Sequence, residues 1–133
     1  MTQFVLLTMY TGVPGLKPMT EWDPADAQAH YDYLKNLNDE LEKSGELVDM
    51  RALTGPELAK IVRFGDAAPV VTDGPFPETK EFLAGWQLLD VESQERAIEI
   101  AAQTSQAPGP GGIPSGNPIE VRQVMFVRGG GDL

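Results

Sequence analysis

Twelve consecutive residues, Val70-Val71-Thr72-Asp73-Gly74-Pro75-Phe76-Pro77-Glu78-Thr79-Lys80-Glu81, hold the densest set of reactive groups in the chain. Carboxylates, a hydroxyl and an ammonium group stand beside a rigid Gly-Pro turn. A carboxylate fixed at a strand end can act as a general base or an orienting group, and rigid placement is what such chemistry needs. The same residues also make ordinary turn chemistry. Asp73 can bond its own backbone, Gly74 accepts positive φ, Pro75 fixes the exit and Phe76 can anchor the corner. Both readings of the run stand.

The candidate catalytic residues are Asp73 and His30, the single histidine of the chain. An imidazole with an unperturbed pKa near about 6.5 suits proton transfer, and a partly buried structural histidine is the plainer alternative. Tyr10, Phe76, Thr79, Lys80, Glu81 and Arg122 are the candidate binding residues. Arg122 either offers its guanidinium to an anion or pairs with Glu120 or Asp49.

Several chemistries are excluded or disfavoured. Without cysteine there is no thiolate catalysis, disulfide or cysteine-bound metal. One histidine, with no His-x-x-x-His and no calcium-type acidic loop, leads us to expect neither a metal nor a cofactor. A haem enzyme would have to use His30 as its axial ligand. Twenty acidic against ten basic residues give a net charge of −10, which disfavours binding to nucleic-acid phosphates. No apolar run reaches the roughly 18 residues of a membrane span. The start, Met1 to Leu7, lacks a basic leader, so a cytoplasmic location is expected.

The elements that must position these groups follow from periodicity. Residues 3–10 read as a strand that is apolar on both faces. Asp23-Pro24 opens a helix that runs to about Ser44 and stops at Gly45, with Ala27, His30, Leu34, Leu37 and Leu41 on one stripe. Residues 47–53 read as a strand, 60–64 and 69–72 as a hairpin, and 82–91 as a strand with Trp86, Leu88 and Asp90 opposite Gln87, Leu89 and Val91. Ser93 caps a second helix over 94–104, and 119–127 reads as a final strand. The Pro/Gly-rich segment 107–118 is no phosphate loop; it reads as a flexible connector, a lid over the sheet cavity or a partner-binding loop. Residues 1–128 form one domain, and 129–133 are expected to be a disordered tail. The order predicts an α+β, ferredoxin-like split βαβ antiparallel sheet with both helices on one face and an extra hairpin. Two helices cover only one sheet face, so the doubly apolar first strand predicts a homodimer whose second copy covers the other face.

The run Thr72-Asp73-Gly74-Pro75-Phe76-x-Glu78-Thr79-Lys80-Glu81, followed by Gly85-x-x-Leu88-x-Asp90-Val91, resembles the DGPF-type members of the YCII-related proteins. Val121-Arg122-x-Val124-Met125 is similar to their closing strand motif. The resemblance spans about residues 3–127. It implies a ferredoxin-like fold whose sheets pair as a dimeric α+β barrel. It also implies a possible sigma-factor partner, because some members are encoded beside or fused to extracytoplasmic-function sigma factors. The wider group includes a dehydrochlorinase acting on a chlorinated hydroquinone, which implies His/Asp acid–base chemistry. Its plain members carry a histidine about eleven residues before the helix-ending glycine; that position here is Leu34, with His30 one turn earlier. Two functions therefore compete. One is a small-molecule binder, or a cofactor-free acid–base enzyme, with its site between sheet and dimer partner. The other is a non-catalytic accessory protein of a sigma factor.

Overall fold

The structure, a computed structural model, describes residues 1–10, 19–73 and 82–129. Strand β1 spans Thr2–Tyr10 and leads to helix α1, Pro24–Ser44. The helix begins where expected because Asp23 accepts the Ala25 amide at 2.9 Å and Pro24 supplies a preset φ. It ends at Gly45, whose φ of 83° is a left-handed conformation open to glycine; the Gly45 and Glu46 amides close back on the last turn.

Strand β2, Leu47–Ala52, comes next, then a two-stranded ribbon of β3, Lys60–Arg63, and β4, Val70–Asp73. Strand β5 is Phe82–Val91, helix α2 is Gln94–Ser105 and strand β6 is Ile119–Gln123. Ser93 caps α2 by accepting the Arg96 amide at 3.1 Å.

The main sheet has four antiparallel strands in the order β2-β5-β1-β6. This is the split βαβ arrangement, with β5 between the two strands of the first βαβ unit. The ribbon β3–β4 is inserted between β2 and β5 and forms its own sheet. Strand β6 is shorter than the sequence suggests. Val124 makes one last bond to the Gln3 carbonyl, and beyond it β1 has almost no residues left to offer as partners.

Both helices cover the same face. Phe4, Leu6, Leu89 and Val91 from the strands meet Leu41, Ala97, Ile100 and Ala101 from the helices in one core. The alternation of two along β1 and β5 puts one set of residues on this side and the other set opposite. Gln87 is the polar exception on that face. Its amide donates to Asn38 Oδ1 at 2.8 Å, and Thr104 Oγ1 lies 3.3 Å from its oxygen, so α1, β5 and α2 are cross-linked under the helices. Arg96 of α2 grips Glu46 through two bonds of 2.7 and 2.9 Å. The guanidinium holds the Glu46 carboxyl below its ordinary value.

The Pro/Gly segment after α2 is a built loop, not a loose connector. Pro108 bridges Pro114, Ser115 bonds back to the Ala107 carbonyl, and Gly116 to that of Ser105. Two contacts dock it on α1: His30 with the Pro108 carbonyl and Asp26 with the Gly111 amide.

Candidate functional site

Among the described residues, no helix covers the sheet face opposite α1 and α2. Its residues are set by strand register. One cross-strand row reads Arg51, Trp86, Leu7, Glu120; the next reads Asp49, Leu88, Val5, Arg122. The four central side chains, Val5, Leu7, Trp86 and Leu88, are half-buried within the single chain. Each row is thus charged at both ends and apolar in the middle, and the signs reverse from one row to the next.

The charged corners are held unequally. Arg51 is tied to Asp49 and to the Met50 carbonyl. Arg122 stands 3.8 Å from Glu120, beyond hydrogen-bond distance, with its side chain 69% exposed. Among the described residues, Arg122 is therefore the face's least committed cation.

His30 lies on the other side of the sheet, in the helical layer. It is buried, and the Trp22 ring meets it edge-on at 5.4 Å. A carbonyl only accepts, so the 3.0 Å contact with Pro108 makes Nδ1 the proton-bearing nitrogen and leaves Nε2 the lone pair. Burial lowers the His30 pKa more than this bond raises it. The result is a neutral, oriented imidazole that clamps a loop.

Asp73 ends the ribbon, highly exposed, in an ion pair with Lys60 across the β3–β4 register. It belongs to the ribbon whereas His30 belongs to α1, and no described contact joins them. Arg122 reaches the open face, as a residue in register with Val5 must. Tyr10 ends β1, with only its backbone described. Phe76, Thr79, Lys80 and Glu81 lie outside the described residues. The sequence reading missed Arg51 as a site residue and treated Asp49 and Glu120 only as possible partners of Arg122. The signal was available: opposite charges two apart on both edge strands, Asp49-x-Arg51 and Glu120-x-Arg122.

The YCII-related domain model matches residues 6–112, a stretch that holds the core strands, both helices and the ribbon. The chain belongs to the YCII-related family. An uncharacterised protein of Rhizobium meliloti (strain 1021) is 33% identical over 88 residues, covering 66% of this chain and 67% of that protein. In this YCII-related protein Leu34, the helix position where the resemblance places a histidine in plain members, is a half-buried residue of α1. No described helix is long and apolar enough to cross a membrane.

Proposed function

We propose that this protein acts as a homodimer joined through its open sheet faces and holds a small molecule in the cleft between them. The observation that carries this reading is the framed apolar patch. A two-fold axis lying in the plane between two stacked sheets turns one face onto its copy. With the axis along the strands, Arg51 meets Glu120 and Asp49 meets Arg122. With the axis across the strands, Arg51 meets Asp49 and Glu120 meets Arg122. Either way opposite charges face each other and the apolar centres stack, as an isologous interface requires.

The ligand suited to this cleft has an apolar body, for Trp86 and its neighbours, and an anionic group for Arg122. Binding is favoured over acid–base catalysis. Among the described residues, the two candidate acid–base groups lie off this face: His30 is buried in the helical layer and Asp73 ends the exposed ribbon.

The test has two arms. Light scattering behind a sizing column should return a dimer mass for the wild type and a monomer mass for Trp86→Glu and Leu7→Lys, with unchanged circular dichroism. A thermal-shift screen of small aryl carboxylates should then find compounds that raise the melting temperature by several degrees at saturation. That rise should vanish in Arg122→Gln, measured at a concentration where light scattering still returns the dimer mass for the variant. A monomeric wild type sinks the assembly; a rise that survives Arg122→Gln sinks the ligand class.

A further inference from the structure

The β3–β4 ribbon is the least supported element of the fold. All eight of its residues are exposed, and each side carries two apolar residues beside two polar ones. Val62 pairs with Val71 on one side, 60% and 56% exposed; Ile61 and Val70 occupy the other. Phe64, just past β3, is 98% exposed. An isolated two-stranded ribbon is at best marginally stable in water, and apolar side chains grouped in this way mark an interaction surface.

The position of the ribbon bears on what it can reach. It is inserted between β2 and β5, so it leaves the sheet at the end where Arg51 and Trp86 stand on the open face. Strands of four residues extend about 13 Å at roughly 3.3 Å per residue, and stacked sheets lie about 10 Å apart. A ribbon leaving that end is long enough to cross to a second copy seated on the face. Charge complementarity already favours that copy as the occupant.

We propose that the β3–β4 ribbon is an arm that clasps the second copy, laying Phe64 and one side of the ribbon on the partner's surface beside the open face. The cleft is then closed at one end by an element from the other chain. This rests on the homodimer proposed above.

The absence of cysteine makes a clean test possible. Ala67→Cys, at the ribbon tip, carries a nitroxide label while Phe64 stays in place. In a sample shown to be dimeric by mass, the electron spin resonance line should be broad and immobilised. It should sharpen when dilution separates the copies. Phe64→Ser should raise the dimer dissociation constant at least tenfold with unchanged circular dichroism. A dimer with a freely tumbling label, or a Phe64→Ser dissociation constant within twofold of wild type, overturns the arm and leaves the face-to-face dimer standing. A wild type that stays monomeric at millimolar concentration overturns the dimer, and the arm with it.

Discussion

His30 was legible in the sequence as a residue of the helix stripe, and its chemistry was not. What determines its state is the Pro108 carbonyl, 78 positions away in the chain, together with the Trp22 ring. Neither is implied by helical spacing. Burial lowers the pKa of the folded protein's His30 below the ordinary 6.5, so the unfolded chain binds more protons just below that pH. The stabilising contribution of neutral His30 is then complete above pH 6.5 and is lost as pH falls through the lowered value. The urea midpoint of the wild type should drop between pH 7.5 and 5.5. His30→Gln keeps a donor for Pro108 but does not titrate, so its midpoint should drop less over the same interval. Equal drops in the two proteins would show that His30 carries no such linkage. Asp73 illustrates the opposite case. Its place at a strand end was readable, whereas its removal to a second sheet depended on β3 and β4 pairing only with each other.

At the scale of elements, alternation and capping residues announced the strands and helices, because both are local in sequence. Asp23, Gly45 and Ser93 mark their boundaries by direct hydrogen-bond chemistry. The loop after α2 was opaque for the complementary reason. Its prolines and glycines specify turns, but its docking depends on side chains of α1. Gly85 lies between these cases: the resemblance motif contains it, and only the β2–β5 pairing explains it. A Cβ there would lie 2.7 Å from the Arg51 carbonyl oxygen and 3.3 Å from the Ala52 Cα. Those are backbone atoms of the neighbouring strand and cannot swing aside. Gly85→Ala should therefore push β2 away from β5 and cost about 2 kcal/mol, measured by urea denaturation. The same push displaces Arg51 and Trp86, so the affinity of the proposed dimer should fall with it. A variant as stable as wild type would mean that the strands separate at this point without penalty.

For the whole molecule, a sheet face that the two helices leave uncovered could be deduced from the sequence, since they hide one side and β1 is apolar on both. Strand order and register could not, and register is what converts scattered charges into a frame. The frame also permits a decision between the two axes open to the proposed dimer. Arg51→Glu should weaken the dimer for either axis, because the new carboxylate meets a carboxylate in both. The axes differ in which second change repairs the damage. If the axis runs along the strands, Arg51 faces Glu120 of the other copy, and adding Glu120→Arg restores opposite charges across the interface. Within each chain that double variant sets the new carboxylate beside Asp49 and the new guanidinium beside Arg122, so recovery can come only from the partner. If the axis runs across the strands, the same double variant places like charges opposite one another at both corners and should dissociate further. Sedimentation equilibrium of the wild type, the single variant and the double variant separates the cases. Recovery to within about threefold of wild type assigns the axis along the strands, and a further loss assigns the axis across them. An unchanged dissociation constant in Arg51→Glu alone would remove the charged frame from the interface, because like charges set directly opposite at an interface are expected to cost several kcal/mol.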